Sequence, residues 1–188
     1  MTRKCELVII GGSAGSLQVL INILPQIKLP IPFAIVIVVH RKNSYDTVLE
    51  DLIALKTYIP IEYVEDKSKL QPGVLYIAPS DYHMLFEDKN SIALDGSEKV
   101  NYSRPSIDVS FESAALVFKE HLVGILLSGA NTDGTLGLQI IQKKGGLTIV
   151  QKPETAEVPY MPKFAVLNAN PDFIFSEEEI IAFLNSDI

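Results

Sequence analysis

Residues 5–15 read Cys5–Glu6–Leu7–Val8–Ile9–Ile10–Gly11–Gly12–Ser13–Ala14–Gly15. A short β-prone run, apolar from Leu7 to Ile10, stops on two glycines. An apolar run without polar alternation fits a strand buried on both faces, as in a parallel sheet. Beyond it, Leu17, Leu20, Ile21 and Leu24 recur at the spacing of one helix face. Pro25, Pro30 and Pro32 close that helix. Phe33 to Val39 is a second continuous apolar strand, ending at His40. Strand, helix and strand within about forty residues make a βαβ unit.

The same alternation continues outward. Tyr45 to Leu55 reads as a helix and Ile61 to Val64 as a strand. Pro72–Gly73 turns the chain into the strand Val74 to Ala78. His83 to Phe86 and Ser91 to Leu94, separated by Glu87–Asp88–Lys89–Asn90, read as a β-hairpin. Ser106 is placed to cap a helix from Ile107 to Glu120, with Phe111, Ala115 and Phe118 on its buried side. Leu122 to Leu127 is another buried strand, and a glycine-rich loop, Ser128 to Gly134, follows it. A helix then runs to Lys144, stopped by Gly145–Gly146 before the strand Leu147 to Val150. Ser176 and Glu179 have the spacing of a capping box on a C-terminal helix. No linker or repeat divides the chain. The expectation is one domain over residues 1–188, a doubly wound three-layer α/β/α fold with a mainly parallel sheet and an inserted hairpin.

Composition narrows the function classes. At 188 residues the chain can close one sizeable core. A hydrophobic share of 47% against 21% charged residues excludes a disordered chain. The single cysteine, Cys5, excludes an internal disulfide or a cysteine-ligated zinc framework and suits a reducing, cytoplasmic setting. A net charge of −7 argues against general nucleic-acid binding. The longest apolar runs are too short to insert in a bilayer, and the chain opens without the pattern of a signal peptide.

In open α/β sheets, ligands collect outside the carboxyl ends of the strands. Three such ends carry chemistry: Gly11 to Gly15, His40, and the Ser128–Gly134 loop. The first matches G-x-S-x-G, a strand–turn–helix elbow that presents the Ser13 hydroxyl. A nucleotide-binding turn is the competing reading, but its fingerprint is broken, with Ser13 and Ser16 at the second and third glycine positions. The second strand also ends in His40–Arg41 rather than in an acidic residue. An apolar strand delivers His40 to the edge that holds Ser13, and histidine can accept a serine proton at neutral pH. Asp133 lies where a helix begins, so it either caps that helix or orients His40. Asp81 beside His83 is a weaker acid–histidine pair, and His121 suits a helix C-terminus. The chain order serine, histidine, aspartate matches neither the α/β-hydrolases nor the chymotrypsin-like or subtilisin-like enzymes.

With these residues in hand, the sequence resembles the catalytic domain of the CheB chemotaxis methylesterases. The matching segments are Ile9–Gly15, Val38–His40, Pro72–Pro79, Arg104–Asp108, Leu126–Gly129 with Thr132–Gly134, and Tyr160–Pro162, in the family's order over most of the chain. The resemblance implies a three-layer α/β/α fold with Ser13 as nucleophile, His40 as base and Asp133 as acid. It implies the backbone N–H groups of Ala14 and Ala130 as oxyanion donors, and no metal or organic cofactor. The implied reaction is hydrolysis of glutamate methyl esters on the cytoplasmic helices of chemoreceptors, releasing methanol, with glutamine deamidation as a related activity. Nucleic acid and membrane insertion have no part in it. The chain departs from the family pattern at Ser16, where a second glycine is usual, and at Arg41 and Ala130, where methionine is common. Typical members carry an N-terminal receiver domain, whereas this sequence starts at the catalytic domain's first strand, as a stand-alone member or as part of a longer protein. A non-catalytic signalling module and a nucleotide-binding domain are the alternatives on the same fold.

Overall fold

In a computed structural model, which describes residues 4–41 and 48–188, the two apolar runs become the middle of the sheet. β1 (Leu7–Gly12) and β2 (Ala34–Val39) are buried along their whole lengths and pair in parallel, from Leu7 opposite Ala34 to Gly12 opposite Val39. The connection between them is α1 (Ser16–Ile23). Its buried stripe is Val19, Leu20 and Ile23, with Leu17 and Ile21 at the flanks. α2 (Val48–Ala54) leads to β3 (Ile61–Tyr63) and β4 (Leu75–Ile77). The start of the expected Tyr45–Leu55 helix lies outside the described residues.

β5 (His83–Asp88) and β6 (Ser91–Asp95) pair antiparallel as a two-stranded sheet apart from the main one. That hairpin packs on α3 (Ile107–Phe118), where the Ser113 hydroxyl accepts from Phe86 N at 2.8 Å. The chain returns to the main sheet through β7 (Leu122–Leu126), α4 (Thr135–Lys143) and β8 (Leu147–Gln151). α5 (Tyr160–Ala169), β9 (Phe173–Phe175) and α6 (Glu177–Leu184) complete it. The capping box of Ser176 and Glu179 is present at the start of α6.

The seven strands of the main sheet, in the order β3-β4-β2-β1-β7-β8-β9, are parallel throughout. The alternation of strand side chains gives each face its own core. Leu7, Ile9, Val36 and Val38 face α3, α4, α5 and the hairpin. Val8, Ile10, Ile35 and Ile37 face α1, α2 and α6. This is the doubly wound α/β/α arrangement that the sequence predicts. α5 and β9 are additions to that reading: α5 carries Pro162 in its first turn, where a proline is tolerated, and β9 is three residues of an edge strand.

Candidate active site

The register of the central strands decides which loops meet. β1 lies between β2 and β7, with Gly11 opposite Val38 on one side and Leu126 on the other. Ser13, His40 and the Ser128–Gly134 loop therefore leave the same carboxyl edge. Backbone hydrogen bonds extend the ladder past the strands, from Ser13 N to Ser128 O at 2.9 Å and from His40 N to Gly12 O at 3.1 Å.

Ser13 sits in a tight elbow. Gly15 has φ +79 at the N-cap of α1, and a Cβ there would come within 2.6 Å of Ser128 Oγ and 2.9 Å of Glu157 Cβ. Only glycine meets both the left-handed backbone and the crowding. The Ser16 hydroxyl donates to Ser13 O at 2.6 Å and fixes the turn from inside.

His40 Nε2 lies 2.7 Å from Asp133 Oδ2, and the Asp133 side chain is fully buried. Asp133 does not cap the helix that follows it. The N-cap of α4 is Gly134, with no side-chain cap. Its carboxylate instead faces the N-terminus of α3. Oδ2 accepts from Ile107 N at 2.7 Å, and Oδ1 accepts from Asp108 N at 3.0 Å and from the Ser106 hydroxyl at 3.0 Å. Asn101 Nδ2 adds a donor at 3.2 Å. A helix N-terminus with free N–H groups is a natural carboxylate site. Burial alone raises the Asp133 pKa, but the hydrogen bonds from His40 and from the Asp108 and Ile107 backbone outweigh it and hold the group down at about 2. The acid facing His40 is therefore charged.

A second carboxyl stands behind the first. Asp108 Oδ1 accepts from Gly137 N at 2.8 Å, and Oδ2 accepts from Asn101 Nδ2 at 3.1 Å. Burial, followed by the charge of Asp133, pushes Asp108 up to about 6. Asn101 thus bridges two acids. Sequence reasoning assigned no role to it or to Asp108, and it read Ser106 only as a helix cap, although Arg104–Asp108 is among the segments that match the family.

The other imidazole nitrogen, Nδ1, lies 3.4 Å from Asn131 Nδ2, while Asn131 Oδ1 accepts from Asp133 N at 3.1 Å. Ser13 and His40 line one cavity of about 470 Å³, but among the described residues no hydrogen bond joins them. Ala14 and Ala130 are exposed at the same edge, and neither N–H is engaged by a hydrogen bond among the described residues. The Ala14 carbonyl accepts from the Ser128 hydroxyl at 2.8 Å, and the next loop is tied by Met161 N to Gly129 O at 2.9 Å. Arg41 pairs in two hydrogen bonds with the buried Glu50, at 2.8 and 3.0 Å, a contact that spacing alone did not reveal.

The competing groups have other work. Asp81 pairs with Arg104 at 3.1 Å. His83 is buried, accepting from Ser106 N at 3.1 Å on Nδ1 and donating to Glu98 O at 3.0 Å from Nε2. His121 Nδ1 contacts Lys4 O at 2.9 Å at the end of the α3 segment. Among the described residues, no group of three or more His, Cys, Asp and Glu is placed to hold a metal ion, and no helix is long and apolar enough to cross a membrane.

The chain is similar to known proteins along most of its length. The CheB methylesterase family model matches residues 8–184. A chain from Leptospira interrogans, provisionally named protein-glutamate methylesterase/protein-glutamine glutaminase, is 39% identical over 93% of this chain and 91% of its own length. A Thermotoga maritima protein-glutamate methylesterase/protein-glutamine glutaminase is 30% identical over 93% of this chain, which spans 52% of that protein. The crystal structure of the Thermotoga maritima CheB methylesterase catalytic domain superposes with a TM-score of 0.90 at 29% identity, covering 96% of this chain and 97% of that one.

Proposed function

The chain belongs to the CheB methylesterase family, and from that premise we propose that it is a serine hydrolase acting on glutamate methyl esters of chemoreceptor cytoplasmic helices. Glutamine deamidation is the related activity. The observation that carries this reading is the 2.7 Å contact of His40 Nε2 with the charged, fully buried Asp133, at the strand edge that also presents Ser13. Because Asp133 holds Nε2–H, Nδ1 is the nitrogen that accepts the Ser13 proton. Asn131 stands 3.4 Å from Nδ1, beyond ordinary hydrogen-bond distance, so it yields to the serine at little cost. Catalytic hydrogen bonds commonly tighten only as the substrate engages, so a Ser13–His40 pair without one is compatible with these roles.

Ser13 Oγ attacks the ester carbonyl carbon as its proton passes to His40 Nδ1. Asp133 stabilises the imidazolium and keeps the ring oriented. The tetrahedral oxyanion develops toward the Ala14 and Ala130 N–H groups. The bond to the methoxy oxygen then breaks, His40 returns the proton, and methanol leaves a glutamyl ester on Ser13. Water attacks that ester and gives a proton to His40. The acyl bond to Oγ breaks, His40 passes its proton to Oγ, and the glutamate side chain leaves as a carboxylic acid that gives its remaining proton to solvent. With a glutamine substrate, ammonia takes the place of methanol.

The test is methanol release from a methylated receptor fragment. Ser13→Ala should reduce it to background and abolish labelling by a fluorophosphonate. Turnover that survives Ser13→Ala in a folded protein removes the serine mechanism.

A further inference from the structure

A methyl ester offers one carbon on its leaving side, yet a solvent-open cavity of about 470 Å³ lies beside Ser13 and His40. That volume lies within the range of sites for whole small molecules, about 300–1,000 Å³. Apart from Ser16 and Arg41, the rest of its described wall is aliphatic: Leu17 and Leu20 of α1, Val39 of β2, and Val48, Leu49 and Leu52 of α2. Its polar groups are largely engaged. Ser16 Oγ is bonded to Ser13 O, and the Arg41 guanidinium is neutralised by Glu50 and also reaches Ala78 O at 3.3 Å. Among the described residues, no free charge is left on this wall to recruit an ionic group. Among the described residues, Ser13 Oγ and Arg41 Nε are polar atoms of this wall without a hydrogen bond.

Resting on the serine-hydrolase reading, we propose that this cavity binds the alcohol portion of an ester, so that the chain also hydrolyses carboxylic esters of linear aliphatic alcohols several carbons long. The leaving oxygen must lie within reach of the proton on His40, and His40 is itself part of the cavity wall. An alkyl group on that oxygen therefore starts at the cavity. Each methylene that leaves water for an aliphatic wall improves kcat/KM by about fourfold, if the contact is held in the transition state.

The experiment is a chain-length series of N-acetyl-glutamate methylamides carrying γ-methyl, γ-ethyl, γ-butyl and γ-hexyl esters, followed by alcohol release. The expected result is a kcat/KM that rises by about fourfold per added methylene until the cavity is filled. Leu49→Trp should bring the butyl-to-methyl ratio back toward one. Methyl-ester turnover with a flat or falling series overturns the alcohol pocket and leaves the serine mechanism standing. A ratio unchanged in a folded Leu49→Trp variant overturns it as well. If the folded chain turns over none of the esters, or if turnover survives Ser13→Ala, the underlying reading fails too.

Discussion

Asp133 carries more of the site than a single hydrogen bond. Its two oxygens take His40, two backbone N–H groups of α3, the Ser106 hydroxyl and the Asn101 amide. Asparagine at this position keeps one acceptor oxygen. If that oxygen stays on the Oδ1 side, the new NH₂ group points at Ile107 N–H and at His40 Nε2. Donor then faces donor, and the imidazole loses both its counter-charge and its favoured tautomer. In serine proteases the equivalent change lowers kcat by about 10⁴. Here Asp133→Asn should lower kcat by up to about that factor and also cost about 1–3 kcal/mol of stability, because a buried donor is left unpaired. Methanol release together with urea denaturation separates the two effects. Combining it with Ser13→Ala should cause no further loss of activity, since the residues act as a unit. A folded Asp133→Asn variant of undiminished kcat would reduce Asp133 to an anchor for α3.

At the scale of elements, the N-terminus of α3 is where strand-edge chemistry meets packing, and Asp108 in its first turn makes the link titratable. Its pKa is raised from 3.8 to about 6 by burial first and by the charge of Asp133 after it. A carboxyl raised by folding binds its proton more tightly in the folded chain. Between pH 3.8 and about 6, then, its contribution to stability falls as pH rises. Asp133 works in the opposite sense. Lowered to about 2, it stabilises the fold above pH 3.8 and loses that contribution as pH falls toward 2. Asp108→Asn should remove the first slope and keep the second. Relative to the variant, the wild type should lose on the order of 1–2 kcal/mol between the two ends of the Asp108 window, read from urea midpoints. Parallel profiles for the two proteins would contradict this account. The elements themselves were legible to different degrees, for physical reasons. β1, β2 and β7 are buried on both faces, so each writes an unbroken apolar run. β9 is a three-residue edge strand, too short to show a period, and the buried face of α5 is Met161, Pro162, Ala165 and Ala169, mostly small residues and a proline that write a weak apolar stripe. Ser13, His40 and Asp133 could be read because each ends or follows a strand or opens a helix. Asn101 and Asp108 could not be given roles, because Asn101 lies in a turn away from the strand ends and Asp108, in the first turn of α3, reads simply as a helix-end acid.

For the whole molecule, the question is what keeps three loops of a wound sheet in register with the end of one helix. The answer lies in a seam where α3 settles against β1 and α4 through positions that have no side chain. A Cβ at Gly11 would meet Ile107 Cγ2 at 2.5 Å, and one at Gly137 would meet Phe111 Cβ at 2.5 Å. The Gly137 contact is close to the Phe111 backbone, so a rotamer change of that ring does not relieve it. Gly137 N also donates to Asp108 Oδ1, which joins the seam to the carboxyl pair. Gly137→Ala should therefore push α3 and α4 apart and draw the α3 N–H groups away from Asp133. The overpacking should cost about 1–3 kcal/mol. It should also lower kcat, although Gly137 touches neither Ser13 nor His40. Urea midpoints and methanol release separate the two effects. A Gly137→Ala variant that loses stability but keeps the wild-type kcat would mean that α3 does not hold Asp133 through this seam.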